Sequence, residues 1–322
     1  MKIFKKIICL LLVLSLTIFN NNSFSNASTI QDNVDADNTV SNTKEEIISL
    51  LLDAGMEIDD INKLPEEKFD DLKFTDSIQI NTTYLKVLDK NVQDTNSNIY
   101  SIAKLNSNLI PDTVIVPLSK EEFYNEVSMC KNDTQNSESF YSTDPTDPNP
   151  TYTASGYLKQ SILFAKTGTK YRYNVSFIGD WVVSSRPNDR GTDVFGFYVK
   201  NATKVGSVST HYRAKADDIN QTPIYESLTG SVKTSLDGAA TSCKLNNWST
   251  DNYLYMSFDV TADSVSQGYM YVIGEYYHQQ KFITFTPSFS VSSDGISISG
   301  TVEQKQAMVF MNPNPSARYY FD

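Results

Sequence analysis

From Tyr171 to Trp181 the chain alternates without interruption. Tyr171, Tyr173, Val175, Phe177, Gly179 and Trp181 take one side, and Arg172, Asn174, Ser176, Ile178 and Asp180 the other. Successive side chains of an extended chain point to opposite faces, so a period of two commits this segment to a strand and excludes a helix. Tyr157 to Lys166 precedes it across Thr167-Gly168-Thr169, which reads as a hairpin. The period returns at Leu254, Met256, Phe258 and Val260, with Tyr253, Tyr255, Ser257 and Asp259 opposite, and the partner expected for that strand is Tyr269 to Tyr277. About eight to ten such strands after residue 150, with few helix signals, predict an antiparallel β-sandwich over 151–322.

Phe282 to Val302 carries the same signature in its most polarised form. Taking Asp294-Gly295 as a two-residue type I′ turn sets Val291 against Ile298, Phe289 against Gly300 and Pro287 against Val302. One face is then apolar, and the other carries Thr284, Thr286, Ser288, Ser290 and Ser292 against Ser297, Ser299 and Thr301. A half-buried sandwich hairpin has this pattern, and so does a hairpin that a pore-forming toxin inserts into a membrane.

The residues before 150 read differently. Thr43-Lys44-Glu45-Glu46 is a capping box opening a helix with Ile47, Ile48, Leu50, Leu51 and Leu52, and Gly55 stops it. A short helix is expected over Asp59–Lys63, and Leu64-Pro65-Glu66-Glu67 places Pro at the first position of another that leads to Phe69 and Leu72. Ile78, Ile80, Tyr84 and Leu85 suggest a strand, Val114-Ile115-Val116 a second, and Ser119-x-x-Glu122 caps a helix holding Phe123 and Val127. A stabilising subdomain and a propeptide both fit this region. Lys131 to Asn149 is polar and closes on Asp144-Pro145-Thr146-Asp147-Pro148-Asn149-Pro150, where each Pro drives its predecessor out of the helical region.

The first residues supply an address. Lys2, Lys5 and Lys6 precede an apolar run from Ile7 to Phe19, and Ser25-Asn26-Ala27 places small residues at −3 and −1 of a cleavage site. This pattern reads as a secretory signal peptide, and the run falls short of the ~18–20 residues a membrane span needs. The expected organisation is therefore a signal peptide (1–27), a disordered polar stretch (28–42), a small acidic α+β region (43–130), a linker (131–150) and the sandwich (151–322), with the product secreted and extracellular. The C-terminus, Ser316 to Asp322, reads SARYYFD and holds no sorting motif, which favours release over covalent attachment.

Charge is split between the halves. Residues 28–150 hold 24 acids against nine Lys, net −15, whereas residues 151–322 hold 14 acids against 15 bases, net +1. Neither half has the basic footprint that nucleic acid requires. Of the 38 aromatic residues, 27 lie after residue 150. No Walker loop, HExxH, CxxC or GxSxG occurs, and two His remain, His211 and His278, in strand contexts with no third ligand at metal-binding spacing. No cofactor, metal site or catalytic residue is expected. Asp180, Glu226, Asp259 and Glu275 are carboxylates that a glycoside hydrolase could pair, but spacing gives no sign that they converge.

The stretch from Trp181 to Gly196 concentrates Arg186, Asp189, Arg190 and Asp193 between two strands. Arg is a bidentate donor and Trp a stacking face, so Trp181, Arg186, Asp189, Arg190 and Asp193 form the candidate ligand-binding set. The alternative is an Arg190–Asp193 pair that fixes a long connection. Tyr253/Tyr255 and Tyr269/Tyr271 could form a glycan platform or stabilise the sheet as cross-strand pairs. Cys130 and Cys243 are the thiols left after signal removal, and a disulfide and two buried thiols both remain open.

The combination AGMEIDDINKLPEE, RPNDRGTDVFGF and YYHQQKFITFTPSFSVSSDGISISG resembles a group of uncharacterised secreted proteins of low-GC Gram-positive bacteria. The likeness is one of layout over most of the mature chain. It implies the same export route and transfers no catalytic residue. The leading expectation is a non-enzymatic secreted β-sandwich protein that binds a cell-wall polymer or another surface protein. A membrane-active toxin is the alternative, the one reading in which a membrane is a partner, and an extracellular hydrolase is the third.

Overall fold

Period-two sequence produces strands over most of the chain. The computed structural model describes residues 41–90, 113–133, 152–167, 171–182, 191–216, 224–228, 231–246, 249–262, 268–279 and 285–320. Among them the strands are β1 (Thr75–Lys90), β2 (Thr113–Leu118), β3 (Tyr152–Thr167), β4 (Arg172–Val182), β5 (Thr192–Lys200), β6 (Ala202–Ala216), β7 (Ile224–Ser227), β8 (Lys233–Thr234), β9 (Gly238–Lys244), β10 (Ser249–Ala262), β11 (Tyr269–Gln279), β12 (Ser288–Ser292), β13 (Gly295–Ser299), β14 (Met308–Phe310) and β15 (Ser316–Tyr320). The helices are α1 (Lys44–Asp53), α2 (Ile58–Ile61), α3 (Glu66–Asp71), α4 (Lys120–Asp133) and α5 (Val302–Gln306).

Sheet A has seven strands in the order β2-β1-β3-β4-β10-β6-β7; sheet B has six, with β14-β11-β5-β9-β8 in sequence and β15 also paired to β11. Each ladder is antiparallel. The inner faces meet in one apolar core, where Phe177, Trp181, Leu254, Met256 and Phe258 of sheet A pack with Phe195, Phe197, Val272 and Tyr276 of sheet B. This is the expected antiparallel β-sandwich.

Both outer faces are also covered. Ile47, Leu51, Met56, Ile61, Leu64, Phe69 and Leu72 of the N-terminal helices pack on Leu163, Ala165, Ile178, Tyr253 and Tyr255 of sheet A. Phe123 and Val127 of α4 cover Tyr157. Phe289 and Ile296 of the β12–β13 hairpin cover Val194 and Ala240 of sheet B. The sandwich is the middle of a four-layer arrangement, which is why Tyr253 and Tyr255, on the polar-looking side of β10, are each 1% exposed.

The fold departs from the sequence pattern at four points. The division between a 43–130 region and a 151–322 sandwich does not hold, because β1 pairs with β3 from Thr75↔Thr167 to Lys90↔Tyr152 and a ladder cannot be cut without orphaning its backbone groups. Residues 40–322 form one compact unit. The partners of β10 are β4 and β6, and β11 lies in sheet B across the core. The hairpin turns one residue earlier than expected, which shifts the register by two to Val291↔Ile296 and Phe289↔Ile298, because Gly295 takes φ +126° at the first rung and Ser293-Asp294 form the loop. A slip of two residues preserves the faces, so Ser288, Ser290, Ser297 and Ser299 still point outward. Pro65 is the N-cap of α3 and not its first residue.

Other expectations stand as read. Thr43 and Glu46 form the reciprocal cap of α1, Gly55 follows it at φ +93°, and Ser119 caps α4 with Glu122. The signal peptide and residues 28–40 lie outside the described residues, as do 134–150 of the linker. Asn42, assigned to the disordered stretch, is fixed by its Nδ2, which donates to Thr75 O at 2.8 Å.

Buried charge fastens the helices to sheet A. Lys63 Nζ donates to both Asp180 oxygens at 2.9 Å and lies 3.2 Å from Asp251, while Lys159 Nζ reaches Asp60 at 2.5 Å and Asp180 at 3.3 Å. Burial by itself would raise the Asp180 pKa. The two ammonium groups outweigh it and hold the carboxyl below its ordinary range.

Candidate functional site

β4 and β5 deliver Trp181 and Asp193 to one end of the sandwich, and β11 brings Tyr276, His278 and Gln279 to them. Trp181 Nε1 donates to Tyr276 Oη at 2.7 Å, and Tyr276 Oη donates to Asp193 Oδ2 at 2.7 Å. Asp193 also lies 3.0 Å and 3.1 Å from His278 Nδ1 through its two oxygens, and it accepts from the Gln279 backbone N–H at 3.0 Å. Gln279 continues the chain, donating through Nε2 to Phe285 O at 3.0 Å and accepting from the Thr192 N–H at 2.5 Å. Burial first, and then the Asp193 charge, push the Tyr276 phenol well above its ordinary pKa, so it stays a donor.

Trp181 is 3% exposed and Asp193 0%. Their polar atoms are engaged internally, in a satisfied polar chain that fixes the end of the sandwich. Arg186, Asp189 and Arg190 lie outside the described residues. Nothing in the sequence ties Tyr276, His278 or Gln279 to Asp193. Their link to Asp193 spans 83 to 86 residues, and no local spacing announces it.

The candidate carboxylates do not converge. Asp180 and Asp259 share the outer face of sheet A but pair with Tyr253 and Asn174, six rungs apart on one ladder. Glu275 lies in sheet B, where its carboxylate accepts the Ile296 N–H of the hairpin at 2.8 Å. The Glu226 side chain lies outside the described residues. Among the described residues no group of three His, Cys, Asp or Glu is arranged to hold a metal ion. Cys243 is buried on β9, and the Cys130 side chain lies outside the described residues.

The exposed chemistry is at the other end of β11. Tyr269 pairs with Tyr320 of β15, and two rungs along Tyr271 stands between Arg318 of β15 and Lys200 of β5. The Arg318 guanidinium lies 4.8 Å from the Tyr269 ring centre and 5.7 Å from that of Tyr271, and the Tyr269 and Tyr320 rings are 6.3 Å apart. Tyr320 is 62% exposed, Arg318 and Lys200 are exposed, and Tyr269 and Tyr271 are half-buried. Alternation places all five on the outer face of sheet B, the face that the β12–β13 hairpin covers at Val194 and Ala240. The result is an aromatic cluster with two cations, its Tyr269 and Tyr320 rings tilted by 56° to each other. Of the two tyrosine pairs singled out in the sequence, only Tyr269/Tyr271 is accessible.

No family model and no curated protein matches the chain. Solved structures with partial likeness include the collagen-binding subdomain of the Enterococcus faecalis surface protein ACE, at 9% identity over 35% of this chain and 79% of that one, with a TM-score of 0.25. The collagen-binding domain of the Erysipelothrix rhusiopathiae surface protein RspB matches at 6% identity over 53% and 71%, with a TM-score of 0.27. The pilus backbone protein RrgB of Streptococcus pneumoniae matches at 8% identity over 47% and 40%, with a TM-score of 0.25.

Proposed function

We propose that the protein is a secreted, non-enzymatic β-sandwich that binds an anionic cell-surface polymer through the outer face of sheet B. The observation that carries this is the Tyr269, Tyr271 and Tyr320 surface with Arg318 and Lys200 among its rings. Tyrosine faces stack on sugar rings at low entropic cost, and guanidinium and ammonium groups take up phosphate or carboxylate. Lys200 and Arg318 supply the positive charge on this face locally, within a chain that is acidic as a whole.

Replacing Tyr269, Tyr271 and Tyr320 together by Ala should cut sedimentation with isolated cell walls at least ~10-fold, since each stacked ring contributes on the order of 1 kcal/mol. Arg318→Ala should weaken binding and flatten its dependence on salt. Circular dichroism should report unchanged folding, because these side chains lie outside the cores. Full retention of wall binding by the triple variant would overturn the assignment.

A further inference from the structure

One side chain under the helical cover has no counter-charge in contact. Lys68 of α3 is 0% exposed. A buried ammonium is either held by a carboxylate or surrenders its proton. Among the described residues the hydrogen-bond acceptors of Lys68 Nζ are neutral: Asn174 Oδ1, and Ser176 Oγ at 2.8 Å. Burial accordingly lowers the Lys68 pKa to about 8, with Asp71 and Asp259 opposing it only through space. An appreciable share is then free amine, which is a nucleophile.

The electrophile and a proton acceptor are already placed. Asn174 of β4 is 3% exposed and pairs directly with Asp259 of β10. Its Nδ2 donates to Asp259 Oδ1 at 2.8 Å. Arg172 engages the other oxygen, Oδ2, through Nε at 3.0 Å and Nη2 at 2.6 Å, which aims Oδ1 at the amide. Ser176, fully buried, positions Nζ from beneath and meets Tyr255 Oη at 3.2 Å. The amine and the amide are thus contiguous and buried, and the carboxylate beside them lies at the edge of the site, 26% exposed.

We propose that Lys68 and Asn174 condense into an intramolecular amide, with Asp259 relaying the proton. The Nζ lone pair attacks Asn174 Cγ and the carbonyl π pair moves onto Oδ1. When the carbonyl re-forms, the Cγ–Nδ2 bond breaks. The proton lost from Nζ passes through Asp259 to Nδ2, which leaves as ammonia. One N–C bond forms and one breaks, nothing is oxidised or reduced, and no co-reactant is needed. The product ties α3 to the middle of sheet A across 106 residues of chain.

Tryptic digestion of the denatured full chain tests this. Peptides 64–73 and 173–190 should emerge as one branched species, lighter than their sum by one ammonia and uncleaved after Lys68. Asp259→Asn retains both reacting side chains and should slow the bond's formation by about 100-fold, as expected for loss of a general acid–base group. Folding of that variant is checked by circular dichroism. Branched peptide at the wild-type rate in Asp259→Asn would overturn the relay. Should that variant not fold, the wild-type digest decides alone: two linear peptides of ordinary mass from folded, aged protein would overturn the amide itself.

Discussion

Asp180 lies between two ammonium groups with its side chain 1% exposed, and removing its charge strands both of them. Asp180→Asn should destabilise the protein by about 3–5 kcal/mol at pH 7, the usual cost of breaking a buried ion pair from one side. The folded pKa is held below the unfolded value, so the stabilisation is complete above the unfolded value and is lost as pH falls through the folded one. The gap between wild type and variant in urea melts should therefore narrow in acid, below about pH 4. A gap constant down to pH 2 would contradict the ion-pair account. In the sequence Asp180 is merely the polar member of an alternating strand. Its partner Lys63 is 117 residues distant and sits on a helical turn whose face cannot be assigned from so short a segment. Trp181 and Asp193 show the same limit: residue type marked them as special, but only the fold shows that their polar atoms are spent on Tyr276 and His278.

The β12–β13 hairpin is the element whose sequence is most explicit. Its apolar side packs Phe289 and Ile296 on Val194 and Ala240, and Glu275 secures it by accepting the Ile296 N–H. Phe289→Ala should lower the unfolding free energy by about 3 kcal/mol. Ser290→Ala, on the exposed side, should leave it within about 0.5 kcal/mol. Equal effects in chemical denaturation would place the hairpin elsewhere. Alternation exposed the two faces of β4, β10 and this hairpin correctly, because period two is a local property. Which strand pairs with which is not local. β10 and β11 both alternate, and their assignment to opposite sheets depends on burial of both faces of β10, which its tyrosines disguise. The hairpin register differs by two from the one an Asp-Gly loop implies, because Gly295 serves as the first paired residue.

At the scale of the whole molecule, residues 43–130 supply two strands of sheet A and the cover for its outer face. Gentle proteolysis in 131–150 should nick the chain while the two pieces continue to co-elute, and they should stay joined on a denaturing gel once the Lys68–Asn174 amide has formed. Residues 151–322 expressed alone should be insoluble, with β3 unpaired along one edge and Leu163, Ile178, Tyr253 and Tyr255 uncovered. A soluble, cooperatively melting 151–322 fragment would restore the two-domain division. The composition step near residue 150 suggested a boundary, but composition reports surface charge and not which backbones pair. The contact between Asn81 Nδ2 and Ser316 O, at 2.7 Å across 235 residues, carries a kinetic consequence. A ribosome delivers Asn81 long before Ser316, and β15 is the last strand of sheet B to be made. The topology is therefore rich in long-range pairing, and sheet B is complete only once β15 has been made. A chain that stops short of β15 should therefore leave apolar strand surface open and aggregate, where the full chain does not.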